Sequence, residues 1–175
     1  MLGLKYGFLE TNVYRCILHP HRGVNGDIDS NCEVAGTGKM FNGITKSADK
    51  NDVLVVDMLQ GLVVFSRWPD GPLKKDRIIP LPHVTDNIAY DEETNAHYTG
   101  SLGQLAQVTG AIGQAREGKS FPIKDALVAG GVLKITKESG KEYEVEEILM
   151  HDGSVLSVIA VGIVKGNRII TGSFV

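Results

Sequence analysis

The feature that most constrains the fold is a repeat within the chain. The segment Phe41-Asn-Gly-Ile-Thr, followed by Asn51-Asp-Val-Leu-Val-Val, is matched 44 positions later by Thr85-Asp-Asn-Ile-Ala, followed by Asn95-Ala-His-Tyr-Thr-Gly-Ser101. A third copy, Val158-Ile-Ala and then Asn167-Arg-Ile-Ile-Thr-Gly-Ser173, follows after 72 positions, and the excess matches an irregular segment at 101–131. A unit of about 44 residues that contains several short strands has the size of a four-stranded β-propeller blade.

Strand-like runs bounded by turn residues support this interpretation. With 21 glycines and 6% aromatic residues, the chain is typical of an all-β protein with many turns. We predict an all-β partial β-propeller, one domain over 1–175 with about three to four four-stranded blades; the alternative is chance similarity among β-hairpins. Asp152-Gly153 predicts a hairpin turn. The predicted strands are 53–56, 62–65, 77–80, 132–136, 143–149, 155–164 and 168–175.

One segment departs from the strand pattern. Between Ser101 and Gly118, apolar residues recur near helical spacing, although three glycines weaken the pattern. We therefore expect an irregular, partly helical insertion over 101–131, which ends as a loop from Lys119 onward.

Oxygen-bearing side chains occupy the same position in two copies of the repeat: Asn42 in the first, and Asp86 with Asn87 in the second. Each set is expected just before the first strand of its unit. Equivalent positions of propeller blades converge on the central channel, and one carboxylate with neutral oxygens suits Ca²⁺. Three side chains are too few for a tight site. The alternative, which spacing alone favours, is that these residues only cap turns.

Several motifs, in order along the chain, resemble the serum paraoxonase/arylesterase family. They are Leu2-Gly-Leu4, Phe41-Asn-Gly-Ile44, Asp86-Asn87 with Asp91 and Thr94, and the tail Asp152-Gly-Ser-Val-Leu followed by Lys165-Gly-Asn-Arg-Ile-Ile-Thr-Gly. More distantly, the pattern is similar to the gluconolactonase and strictosidine-synthase-like propellers. The resemblance covers the C-terminal half of the family.

The resemblance implies a six-bladed propeller with a catalytic calcium ion in its central tunnel. It places Asn42, Asp86 and Asn87 on three of the family's calcium-ligand positions, and it thereby favours the metal site over turn capping. The family's remaining ligands, a glutamate and an asparagine, belong to its N-terminal half. The implied activity is calcium-dependent hydrolysis of small-molecule esters or lactones, with an activated water as the nucleophile.

The chain also departs from the family. The family has a histidine after the strand that matches Val53–Val56, whereas this chain has Asp57-Met-Leu-Gln-Gly61. The catalytic base is therefore undetermined; His83, three residues before Asp86, is a weak candidate. Two other functions stay open: a non-catalytic truncated propeller, and a half-propeller that assembles with another chain. We expect an isolated monomer to have no esterase or lactonase activity and to self-associate through open blade edges.

Charge and composition restrict the partners. The formal net charge of −3 argues against a nucleic-acid partner. The longest apolar stretch, Val155–Val164, is too short to span a bilayer, and the N-terminal residues lack a cleavable signal pattern, which leaves localisation undetermined. Cys16 and Cys32 either pair or stay reduced, and the sequence does not decide between the two states.

Overall fold

The computed structural model describes residues 10–20, 28–66, 73–103, 129–138, 141–156 and 158–173. Within these ranges the regular structure is all β, which confirms the predicted class, and no helix that is long and apolar enough to cross a membrane is present. The strands are β1 (Thr11–Pro20), β2 (Ile28–Gly38), β3 (Phe41–Lys46), β4 (Asp52–Asp57), β5 (Gly61–Ser66), β6 (Lys74–Ile79), β7 (Thr85–Asp91), β8 (Ala96–Ser101), β9 (Gly130–Lys137), β10 (Tyr143–His151), β11 (Ile159–Lys165) and β12 (Arg168–Ser173).

The strands form two four-stranded antiparallel sheets and two hairpins, each in sequence order. We name β3–β6 blade A, β7–β10 blade B, β1–β2 the N-terminal hairpin and β11–β12 the C-terminal hairpin. Sequential four-stranded meanders are the unit from which propellers are built. The described residues form a partial, propeller-like set of blades that does not close into a ring.

Three apolar interfaces hold these sheets face to face in series. Side chains from both sheets line each one: Leu54, Leu62, Ile88 and Ile135 between the two blades; Val13, Ala35, Val55, Val63 and Phe65 between the N-terminal hairpin and blade A; Tyr98, Val132, Ile159 and Ile169 between blade B and the C-terminal hairpin. Because successive residues of a strand point to opposite faces, the unbroken apolar runs of β4 and β5 are buried on both sides of blade A.

Most predicted strands are confirmed, but two details are corrected. Asp152-Gly153 does not join a hairpin, because β10 pairs with β9 and β11 pairs with β12; the turn instead connects the outermost strand of blade B to the next sheet. The strand predicted from Val155 begins only at Ile159, after Val158 with a φ of 52°. Most of the predicted helical segment, 104–128, lies outside the described residues, and Gly130 already belongs to β9.

The two cysteines form a disulfide that joins the strands of the N-terminal hairpin. Cys16 on β1 lies directly opposite Cys32 on β2, and their sulfur atoms are bonded. The sequence left open whether they pair, and strand register decides it. A cross-link that closes a loop of this length stabilises a fold by about 3 kcal/mol through the entropy of the unfolded chain.

Candidate metal centre

The residues predicted to bind metal lie on β-bulges that interrupt the innermost strands. In β3 the bulge falls between Phe41 and Ile44, and it carries Asn42; in β7 it falls between Thr85 and Ile88, and it carries Asp86 and Asn87. The prediction that these residues precede the first strand is therefore corrected: they lie within it. A bulge adds one residue to one strand and turns its side chains away from the regular alternation.

The C-terminal hairpin has a bulge at the same position. It falls between Ile159 and Val161, so Ala160 occupies the place of Asn42 and Asp86. We call these three bulges, at 42–43, 86–87 and 160, the bulge row. Two of its members contribute side-chain oxygens, and the third contributes none.

Asp86 is the central acidic group of the bulge row. Its side chain is only 8% exposed, and burial raises the pKa of its carboxyl group, while a hydrogen bond from the side chain of Asn42 partly offsets that rise. No ion pair to Asp86 is found among the described residues. Asn42 and Asp86 thus lie close together although they come from different blades, and the described part of the chain supplies no cation that pairs with the carboxylate.

Asn87 connects the bulge row to the C-terminal hairpin. Its amide Nδ2 donates a hydrogen bond to the carbonyl oxygen of Ala160 at 3.5 Å, and its side chain is exposed. Because the amide nitrogen makes this bond, the bond does not use the amide oxygen, which is the atom that would bind a cation. The three predicted ligands therefore lie on two neighbouring bulges, and together they offer two neutral amide oxygens and one carboxylate.

Close backbone contact fixes the spacing between the first two bulges. A Cβ atom at Gly43 would lie 2.6 Å from the backbone nitrogen of Ile88 and 2.8 Å from the Cα of Asn87. A side chain at this position would push blades A and B apart at the metal centre. In the sequence Gly43 stands out only as part of a motif, because its role depends on a contact between blades that spacing does not reveal.

Asp57 and Met58 occupy the position where the resembled family has a histidine. The buried carboxylate of Asp57 accepts hydrogen bonds from the backbone nitrogens of Lys39, Met40, Leu59 and Gln60, and from the Gln60 side chain. Asp57 thus organises the turns around the end of β4 and has its acceptor sites occupied. Met58 accepts a hydrogen bond at its sulfur from Asn42 Nδ2 at 3.6 Å, so a thioether borders the bulge row.

The histidines of the described residues make contacts of a structural kind. His83 Nε2 lies 3.0 Å from Glu147 Oε1 on β10, the outermost strand of blade B, whereas Asp86 lies on the innermost strand. His97 is buried on β8, and its Nε2 donates to the carbonyl of Lys46 in blade A at 2.9 Å. Burial lowers the pKa of His97, so the ring is held neutral between the two blades.

Two further observations bear on a metal ion. The hydroxyl oxygen of Thr85, next to Asp86, is buried and has no hydrogen-bond partner in the described part of the chain. Clusters of three or more His, Cys, Asp or Glu side chains suited to a metal are also absent from the described residues, so a centre here depends on amide oxygens. One carboxylate among neutral oxygens is a donor set that fits Ca²⁺ and suits a transition metal poorly.

The opposite ends of the blades carry a separate polar groove of about 580 Å³, lined by loops of both blades. Its cations are paired: Arg77 with Glu142 at 2.8 Å, Lys137 with Asp52 at 3.2 Å, and Lys141 with Glu138. Lys137 also lies 4.9 Å from the ring centre of Tyr143. Asp49, another acidic residue of the lining, accepts hydrogen bonds from the Ser47 hydroxyl group and the backbone nitrogen of Asn51. We interpret the groove as a structural seam between blades A and B.

No protein-family model matches this chain, and no curated protein is significantly similar to it in sequence.

Proposed function

We propose that this chain contributes part of a calcium centre to a β-propeller hydrolase that acts on small-molecule esters or lactones. The observation that carries the proposal is the close approach of two bulges on consecutive innermost strands, at Gly43 and Asn87, which brings Asn42 and Asp86 to neighbouring positions. The motif resemblance to the paraoxonase/arylesterase family supports the same centre and the same chemistry.

The roles of the residues follow from their charge and position. Asp86 supplies the negative charge, and the amide oxygens of Asn42 and Asn87 supply neutral ligands, which leave a bound cation strongly electrophilic. A calcium ion in such a centre polarises the carbonyl oxygen of an ester and stabilises the negative charge that develops on it. The residues themselves hold and orient the ion, and the close approach of the backbone at Gly43 keeps the two bulges at a fixed separation.

The three side chains form a partial coordination shell, because Ca²⁺ takes about six to eight oxygen ligands. A single chain is therefore expected to bind calcium weakly and to hydrolyse neither aryl esters nor lactones above background. Additional oxygens from outside these three side chains are needed for catalysis.

A second candidate is a calcium-binding blade segment without catalytic activity. Two contacts favour it: His83 is bonded to Glu147 on the outermost strand, and Met58 lies beside Asn42 where the resembled family has its histidine region. A general base at the metal centre is thus missing from the contacts of the described residues.

Calorimetric titration with calcium and hydrolysis assays separate these candidates. We expect heat of calcium binding in the unmodified chain and its loss in Asp86→Asn, with Asp76→Asn, an exposed position, as the matched control. Absence of any difference between Asp86→Asn and the unmodified chain would remove the metal centre. Calcium-dependent hydrolysis of phenyl acetate or a γ-lactone that Asp86→Asn abolishes supports the hydrolase, and calcium binding without hydrolysis in any assembled form supports the second candidate.

A further inference from the structure

We infer that two copies of this chain close a six-bladed ring, in which the C-terminal hairpin of each copy completes a blade with the N-terminal hairpin of the other. This inference extends the proposed function, because the second copy would supply the oxygen ligands that one copy lacks. It depends on strand order and on two pairs of equivalent residues whose burial differs sharply.

The two hairpins are complementary halves of one blade. The C-terminal hairpin begins with the same bulge as β3–β4 and β7–β8, so it corresponds to the first two strands of a blade. The N-terminal hairpin leads directly into β3, as β6 leads into β7, so it corresponds to the last two strands. Within the described residues, all four strands of the two hairpins are edge strands, so the outer sides of β12 and β1 are free to pair with each other.

The first pair of equivalent residues lies on the innermost strands. Ile88 is 7% exposed because it packs in the core between blades A and B. Ile44, 44 positions earlier on the equivalent bulge, is 53% exposed. Ile44 lies opposite Val55, on the face of blade A that the N-terminal hairpin covers only in part. What Ile44 lacks is the inner half of a preceding blade.

The second comparison concerns the neighbouring strands, and it sets Ile170 against its two equivalents, Leu54 and Tyr98. In each unit, one residue of the second strand pairs with the start of the innermost strand; these residues are Asp57, Ser101 and Ser173. The residues three positions before them are Leu54, Tyr98 and Ile170, so these three are equivalent. Leu54 is 0% and Tyr98 is 2% exposed, whereas Ile170 is 61% exposed and its cross-strand neighbour Ile163 is 41% exposed. Since Leu54 packs in the same core as Ile88, Ile170 of one copy is the residue that would cover Ile44 of the other.

Counting strands gives the number of blades in the closed ring. The described residues of each copy provide blade A, blade B and two complementary half-blades, so two copies joined in this way provide six blades, which is within the four to eight that close a propeller. A rotation of 180° about the ring axis makes both junctions identical, and such a contact stops at two copies instead of growing into a fibre. The apolar faces at Tyr14 with Val34, and at Ile163 with Ile170, would both become interior.

The same rotation would place a second set of ligands across the central channel. Each copy contributes Asn42, Asp86 and Asn87, and Ala160 contributes no side-chain oxygen. Two copies therefore bring six side-chain oxygen donors, including two carboxylates, to the axis, which is within the range that Ca²⁺ requires. The centre is thus incomplete in one copy and has a full donor set in two.

The oligomeric state of the 175-residue chain tests the closure. Light scattering coupled to size exclusion should give twice the monomer mass of 18.9 kDa, independent of concentration over the micromolar range. Ile170→Glu and Ile44→Glu should each yield monomers, because each places a charge in both junctions. Val155→Glu, at an exposed loop position, makes the same change outside the junction and should stay dimeric. Far-ultraviolet circular dichroism verifies that the variants remain folded.

Three results would overturn the closure. The first is a monomer at all concentrations, in which case the free edges would pair with strands from elsewhere. The others are a mass that keeps growing with concentration and a dimer that persists in both glutamate variants. Calcium titration separates this inference from the proposed function. Closure predicts one calcium ion per two chains and at least tenfold weaker binding in Ile170→Glu. A dimer that binds no calcium removes the metal centre and leaves closure standing, whereas a chain that stays monomeric and binds one calcium ion removes closure and leaves the metal centre standing.

Discussion

Replacing Asp86 by asparagine should stabilise the calcium-free protein and abolish its response to calcium. Asp86 is one of the buried residues, and burial is the largest cause of the raised pKa of its carboxyl group. The pKa of this carboxyl group is higher in the folded state than its unfolded value of 3.8. The folded state therefore becomes less stable as pH rises from the unfolded pKa to the folded pKa. At pH 7.5 the ionised side chain therefore destabilises the folded state, and an amide of the same shape does not.

The direction of the gain follows from burial, which penalises the ionised form of the carboxyl group, and the hydrogen bond from Asn42 offsets only part of this effect. For a chain of this length, 1 kcal/mol shifts the melting temperature by about 2–4 °C. Calcium acts in the opposite direction, since a cation that binds only the folded state stabilises it by about 2.7 kcal/mol at a hundredfold excess over its dissociation constant.

Thermal melting in a chelator and in millimolar calcium measures both effects. Asp86→Asn should melt higher than the unmodified chain in the chelator and should show no rise on adding calcium. Asp76→Asn, at an exposed carboxylate, should keep the calcium response. A lower melting temperature of Asp86→Asn in the chelator would contradict the cost of the buried charge. A calcium-dependent rise equal to that of the unmodified chain would contradict calcium binding by Asp86.

Three further perturbations follow from the same contacts. Gly43→Ala should cost about 1–3 kcal/mol in chemical denaturation and weaken calcium binding, because its Cβ would meet backbone atoms of blade B at 2.6–2.8 Å; unchanged values would contradict the close contact. Asp57→Ala should cost roughly 2–4 kcal/mol, since it leaves buried backbone donors without an acceptor, and a loss below 1 kcal/mol would argue against that role. His97 has a pKa below its unfolded value of 6.5, so stability should fall as pH drops from 7 to 5, and melting curves of His97→Gln should lack that component; an identical pH profile would refute it.

The repeat is the part of the structure that the sequence predicts well, and the reason is local. Apolar runs such as Val53–Val56 and turn residues such as Asp91–Asn95 encode strands and their connections through nearest neighbours, and their spacing of 44 residues reports one blade. The all-β class and the order of the blades follow from these patterns. The hairpin predicted at Asp152-Gly153 failed because the same dipeptide serves a turn between two blades.

Contacts between blades were decided only by the tertiary structure. The sequence gives no reason for Ile44 to be exposed and Ile88 buried, because the two residues occupy the same place in the repeat and differ only in what packs against them. The meeting of Asn42 with Asp86, the bond between Cys16 and Cys32, and the need for glycine at position 43 likewise depend on register across strands or blades. Sequence patterns specify which face of a strand is apolar, whereas the atoms that cover that face come from distant parts of the chain or, as we propose, from a second copy.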